Sequence, residues 1–198
     1  NKLDYTRRCL EAIAENTPDD LYEVIIVDNA STDGTHKFLT LLKGDVKIIT
    51  NETNRGFAVA CNQGAASARG SYLMFLNNDT EPQKGWLEPL IKILDNDSTV
   101  AAVGSKLLFP DGTIQHAGVV IIEDNKLPDP LVARHIYYQL QSETPAANQP
   151  RTYQALTAAC ILIRKESFKN VGGFDEGYWN GYEDVDLCFK LQENGWEL

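Results

Sequence analysis

The chain has 198 residues, enough for one well-filled domain, and its composition (43% hydrophobic, 23% charged) is that of a folded globular protein. Its net charge of −10, with no basic block, argues against a nucleic-acid groove or a polybasic membrane patch, although a divalent cation can still neutralise the phosphates of a nucleotide. Cys9, Cys61, Cys160 and Cys188 are scattered without Cys-x-x-Cys spacing, and no apolar run reaches the ~20 residues of a membrane span. These features point to buried thiols in a reducing compartment and to a cytoplasmic protein, with peripheral attachment at the inner membrane face as the one membrane option.

In chain order, apolar spacing predicts a helix over Leu3–Ile13, then a β-branched strand from Tyr22 to Asp28. Thr32 or Asp33 is positioned to cap a helix running to about Leu42, and Val46–Ile49 reads as a short strand. Phe57–Ala68 is a helix so rich in Ala, Gly and Ser that it must pack very close to its neighbours. Tyr72–Leu76 is an apolar strand, followed by a helix over Pro82–Leu94 with Pro82 at its first position. This alternation predicts a mostly parallel sheet with helices on its faces.

The second half changes character. Pro110-Asp111-Gly112 is a hairpin signal between strands at Val100–Phe109 and Thr113–Ile122, and Glu123–Arg151 reads as a long loop. A buried strand at Thr157–Ile163 precedes short helices at Lys165–Val171 and Glu183–Asn194. The first element is a helix where the alternation expects a strand, and another strand is starting at Trp196, so the domain reads as truncated at both ends.

Four polar constellations carry the chemistry. Asn77-Asn78-Asp79 ends the Tyr72 strand, where open α/β sheets bind ligands, and supplies hard oxygens suited to Mg²⁺ or Mn²⁺. Asp28-Asn29-Ala30-Ser31-Thr32-Asp33-Gly34-Thr35 is a second polar strand tip. Asn54-Arg55-Gly56-Phe57 opens the small-residue helix, where free amides and Arg55 attract anions. In Tyr182-Glu183-Asp184-Val185-Asp186, three carboxylates open the last helix. Asp186 can pair with Lys190, which leaves Glu183 and Asp184 as candidate general bases. Taken singly, each tip is as well explained by turn and cap chemistry, and His116, alone on a strand, reads as structural.

Together, and in this order, these segments with Gly172-Gly173-Phe174-Asp175-Glu176 and Asp111-Gly112-Thr113-Ile114-Gln115-His116-Ala117-Gly118 resemble family 2 glycosyltransferases of the GT-A fold, most closely a bacterial rhamnosyltransferase-type branch. The match runs from Lys2 to Trp196. The resemblance implies one GT-A domain over 1–198, with a nucleotide-sugar half (1–97) and an acceptor half (98–198). It implies transfer of a sugar, with inversion, from a nucleoside-diphosphate sugar to a hydroxyl of a glycan or lipid-linked acceptor. It places Asp28, Asn29, Asp33, Arg55, Gly56, Asn62, Asn77 and Asn78 on the nucleotide sugar and Asp79 on the metal. Asp184, then Glu183, becomes the base, and the Gly172–Asp175 segment shapes the acceptor pocket. Asn77 stands where the family's metal motif carries its first Asp, which lowers the negative charge there. A sugar-1-phosphate nucleotidyltransferase and a non-catalytic nucleotide-sugar-binding domain are the competing expectations.

Overall fold

The computed structural model describes residues 1–127 and 130–198. Its elements are α1 (Leu3–Asn16), β1 (Val24–Asn29), α2 (Thr35–Leu39), β2 (Val46–Asn51), α3 (Phe57–Ser67), β3 (Tyr72–Leu76), α4 (Glu88–Asn96), β4 (Ala102–Gly104), β5 (Leu107–Leu108), β6 (Ile114–His116), β7 (Val119–Glu123), β8 (Leu131–His135), β9 (Cys160–Arg164), α5 (Lys165–Asn170) and α6 (Glu183–Glu193), with a 3₁₀ turn at Pro145–Asn148.

Parallel pairing is narrower than the alternation predicts. β1 and β2 pair in parallel, Val24 opposite Val46 through Asn29 opposite Asn51. β3 pairs instead with β9, antiparallel, and β9 also carries β4, giving the order β3-β9-β4. The return strand comes from the second half of the chain, which the local pattern of the first half could not reveal. β9 is buried along Cys160–Ile163 because its alternate side chains enter different clusters. Ile161 and Ile163 join Leu73, Phe75, Phe168 and Phe174, whereas Leu162 meets Leu87, Leu90 and Leu94 beside α4. Phe174 stacks edge-on against Phe57, Phe75 and Phe168, with centroids 5.0–5.9 Å apart, and ties α3, β3 and α5 together.

β1 and β3 are not paired with each other. Between them lies a cavity of about 990 Å³, floored by α1 and α3 and walled by Val24–Val27 and Leu73–Phe75. Both of its ends are bridged. At one, Glu23 Oε1 accepts the Arg69 and Gly70 amides ahead of β3. At the other, Asn1 Oδ1 accepts the Thr32 amide (2.7 Å), while its carbonyl accepts from Asn78 Nδ2 (3.4 Å). The two strands therefore run the same way, with both polar tips at one mouth. Close approach of α3 to β1 follows from its small residues: a Cβ on Gly64 would touch Val27 Cγ2 at 3.6 Å.

Several local expectations change. Asp33 does not begin a long helix. Its Oδ2 accepts the Lys2 and Leu3 amides, and its Oδ1 accepts from Thr35, so it caps α1 across 30 residues. Pro82 lies outside α4, which starts at Glu88 with Pro89 behind it. The strand expected over Thr113–Ile122 breaks at Gly118 (φ 116°). The expected loop over Glu123–Arg151 contains β8, which forms a hairpin with β7 from Val119–His135 to Glu123–Leu131; Pro128 and Asp129 of that stretch lie outside the described residues.

His116 on β6 faces His135 on β8, Nδ1 to Nδ1 at 2.8 Å, so one ring donates and the other accepts. Burial, reinforced by the His135 charge, pushes His116 from 6.5 down to about 3. Between these values the unfolded chain binds a proton that the folded chain excludes. Stability is therefore full above 6.5, falls as pH drops below it, and stops falling near 3. From pH 6.5 to 5 the loss is expected to be about 2 kcal/mol, at roughly 1.4 kcal/mol per unit. Urea midpoints for wild type and His116→Asn check this; identical pH profiles for the two would refute it.

Candidate active site

The mouth of the cavity gathers the two strand tips. Asp28 is 3% exposed, its Oδ1 accepting the Ser31 amide (3.0 Å) and its Oδ2 facing His36 Nδ1 (3.1 Å). Burial alone would raise its pKa, but the bonds from Ser31 and His36 and the His36 charge outweigh it and hold the carboxyl below the usual value. Enclosed in this way, Asp28 holds the β1 tip through Ser31 and His36, where the sequence expectation set its carboxylate on a nucleotide base. Asp33 is held in a like manner: its hydrogen bonds to Thr35, Leu3 and Lys2 hold it far below the normal carboxylate range and cap α1.

Asn29 and Asn62 are clamps too. Asn29 Nδ2 donates to Asn54 Oδ1 (2.8 Å) and the Gly56 carbonyl (3.1 Å), while its Oδ1 accepts the Arg55 amide (3.0 Å) and Asn51 Nδ2 (3.1 Å). The 54–56 loop is thereby fixed with Gly56 at φ 85°, and the exposed Arg55 guanidinium has no hydrogen bond or ion pair among the described residues. Asn62 brackets the Gly173–Asp175 segment: Nδ2 donates to the Phe174 carbonyl (2.9 Å) and to Glu176 Oε1 (3.1 Å), and Oδ1 accepts the Phe174 amide (3.1 Å). A Cβ on Gly173 would sit 2.7 Å from that Oδ1, which, with φ 74°, requires the glycine. Asn62→Ala strands the Phe174 amide beside the core and is expected to cost about 1–3 kcal/mol in chemical denaturation; an unchanged midpoint would contradict the clamp.

At the β3 tip, the Asn77 backbone accepts from Thr80 Oγ1 (2.7 Å) and donates to the Ala159 carbonyl (3.0 Å), and Asn78 Nδ2 donates to Thr6 Oγ1 (2.8 Å). The Asn77 side chain has no hydrogen bond among the described residues, and Asp79 is exposed beside it. No three His, Cys, Asp or Glu side chains cluster around a common metal position among the described residues. The donor set of Asp79 and Asn77 fits a hard divalent ion held mainly by a diphosphate, not one caged by protein alone.

α6 comes to this tip through one relay. Asp184 Oδ2 accepts the Ala158 amide (3.1 Å), and the next residue, Ala159, holds Asn77. Asp184 Oδ1 accepts the Val185 amide (2.9 Å), so two amides orient the carboxylate. Glu183 is 7% exposed, lies close enough to Cys61 to raise that thiol beyond the effect of burial, and its Oε2 has no hydrogen-bond partner. Asp186 pairs with Lys190 at 2.6 Å as expected. The Trp179 carbonyl, a position the sequence reading overlooked, accepts the Phe57 amide (3.4 Å) and packs on Gly56, joining the 177–182 loop to the start of α3.

This α/β arrangement, with polar strand tips beside an acidic helix start, is of the GT-A type. The pattern described as Glycosyl transferase family 2 matches residues 1–172, and the chain belongs to that family. It is 32% identical to the O-antigen biosynthesis protein RfbC of Myxococcus xanthus over 98% of its own length and 15% of the relative's. It is 25% identical to an N-acetylglucosaminyl-diphospho-decaprenol L-rhamnosyltransferase of Mycobacterium tuberculosis, over 87% of this chain and 62% of that protein. The chain thus spans less than two thirds of these relatives. Among solved structures, it resembles GalNAc-T7 with UDP, GalNAc and Mn²⁺ (TM-score 0.72, 20% identity, 98% of this chain, 39% of that one). It also resembles the mannosyltransferase PcManGT of Pyrobaculum calidifontis with GDP-Man and Mn²⁺ (TM-score 0.71, 23% identity, 100% and 50%). No helix among the described residues is long and apolar enough to cross a membrane.

Proposed function

We propose that this domain transfers a sugar from a nucleoside-diphosphate donor to an acceptor hydroxyl, with inversion. The observation that carries this reading is the relay from Asp184 through Ala158–Ala159 to Asn77, which sets an oriented carboxylate beside the polar tip of β3. Family membership supports the reaction class.

Asp184 accepts the acceptor hydroxyl's proton as that oxygen attacks the anomeric carbon. Its two backbone amides fix its direction before transfer. The Arg55 guanidinium and the first amides of α3 bind the diphosphate, and Gly56 lets the backbone come close. Asp79, with the Asn77 side-chain oxygen, would hold a divalent cation, and Asn78 braces the tip through Thr6. When bound, Mg²⁺ or Mn²⁺ supplies electrostatic stabilisation to the leaving diphosphate. Asn29, Asn62, Asp28 and Asp33 act one step back, holding the loops that carry these groups. The donor assignment is tested by thermal shift with UDP or GDP. A rise in melting temperature that needs Mn²⁺ and is lost in Asp79→Ala is expected; a shift independent of both would refute the metal assignment.

A further inference from the structure

Four side-chain amides run in series from α3 to the loop ahead of it. Gln63 Nε2 donates to Asn51 Oδ1 (3.0 Å), Asn51 Nδ2 to Asn29 Oδ1 (3.1 Å), and Asn29 Nδ2 to Asn54 Oδ1 (2.8 Å). Asn51 Nδ2 also returns a bond to Gln63 Oε1 (2.8 Å). Asn29 and Asn51 stand opposite each other at the last rung of the β1–β2 ladder, so the series crosses the pair at its polar end. Backbone groups fix its sense. The Arg55 amide must meet an oxygen and the Gly56 carbonyl a donor, which leaves Asn29 one orientation. The Gly56 amide (3.0 Å) does the same for Asn54. Every amide therefore donates toward Asn54, and hydrogen bonds aligned head to tail polarise one another. At the far end, the exposed Asn54 amino group has no hydrogen-bond partner among the described residues, like the neighbouring Arg55 guanidinium.

We propose that Gln63 and Asn51 are positioning residues for donor binding. Through Asn29 they hold the 54–56 loop so that the Asn54 amino group and the Arg55 guanidinium meet the diphosphate together. The proposal rests on the transfer reading above and adds to it a binding group, Asn54 Nδ2, and the source of its direction. Asn29 alone would serve as a cap for the loop, since both its N–H groups and both acceptor positions of its oxygen are taken. The extension to Gln63 instead sets which way the series points. A diphosphate oxygen only accepts, so it pairs with an amino group beside a guanidinium and would be repelled by the oxygen of a reversed Asn54. Gln63 and Asn51 act through Asn29, not on the ligand.

The test is a double-mutant cycle on nucleotide affinity. Thermal-shift titrations with UDP and GDP in Mn²⁺ are run on wild type, Asn54→Asp, Asn51→Asp, Gln63→Leu and Arg55→Ala. Arg55→Ala is also combined with Asn51→Asp and with Gln63→Leu. Amide hydrogen exchange at Arg55 and Gly56 is measured on the same proteins without nucleotide, and urea midpoints control for folding. Asn51→Asp sets an oxygen against Asn29 Oδ1, and Gln63→Leu removes the group that orients Asn51. Both should quicken exchange at Arg55 and Gly56 and weaken nucleotide binding about tenfold, but no more than about threefold once Arg55 is alanine. Asn54→Asp keeps the oxygen used by Gly56 and Asn29, loses the donor, and should also weaken binding about tenfold. Equal losses in both backgrounds, or unchanged exchange at Arg55 and Gly56, overturn the relay. Wild-type affinity in Asn54→Asp overturns the Asn54 contact. If exchange quickens but Arg55→Ala binds nucleotide as wild type does, the diphosphate reading of Arg55 falls and the donor role of the relay falls with it, leaving only a support for the loop.

Discussion

Asp184→Asn is expected to lower sugar transfer by about 10²–10⁴-fold, the range for loss of a positioned general base, with nucleoside-diphosphate binding unchanged. The variant is informative because the amide oxygen of Asn can still accept from Ala158 or Val185, so α6 keeps its anchor to the β9 approach. What disappears is the proton acceptor. The loss should appear in kcat, since the interaction strengthens only as the acceptor hydroxyl is deprotonated. Rates are compared in the full-length protein, with the nucleotide thermal shift as the control for folding. An Asp184→Asn enzyme with near-wild-type kcat would remove Asp184 as the base.

The largest loss of stability is expected at Gly118. Its φ is 116°, and a Cβ there would stand 2.4 Å from the Tyr153 ring carbons Cδ1 and Cε1. No rotamer of alanine relieves this, because the added atom is fixed by the backbone. The ring is confined as well: Tyr153 packs against the main cluster, and its amide donates to the Leu198 carbonyl. Gly118→Ala should destabilise the chain by more than about 3 kcal/mol, combining overpacking with backbone strain. Adding Tyr153→Ala should recover the steric part but not the conformational part. A Gly118→Ala urea midpoint within experimental error of wild type would show that the β6–β7 break is not constrained in this way.

Much of the site was legible because it lies in contiguous segments. Asn77-Asn78-Asp79, Asn54-Arg55-Gly56 and Glu183-Asp184 announce themselves by abrupt polarity at strand and helix ends; α6 reaches the first through Ala158–Ala159, and the loop ahead of α6 reaches the second through Trp179. What local pattern could not carry was partnership across the chain. Asp33 looked like the cap of its own helix, yet it receives the amides of Lys2 and Leu3. Asn62 sits in a motif that suggests a ligand contact, yet Phe174, 112 residues later, takes its amide. The apolar run of β3 fits a buried strand in either direction of pairing, so the antiparallel partner β9 was invisible from its composition. β8 was missed because prolines and scattered polar residues obscured a pairing that β7 dictates.

The position of β9 has a consequence for local stability. It is hydrogen-bonded on both sides, to β3 and to β4, and its alternate side chains enter two clusters. Native-state hydrogen exchange is expected to release its amides at a higher free energy than those of the two-stranded β7–β8 hairpin. The Asn77–Asp79 tip thus stands at the end of the firmest ladder described, and the opening of β8 need not disturb it.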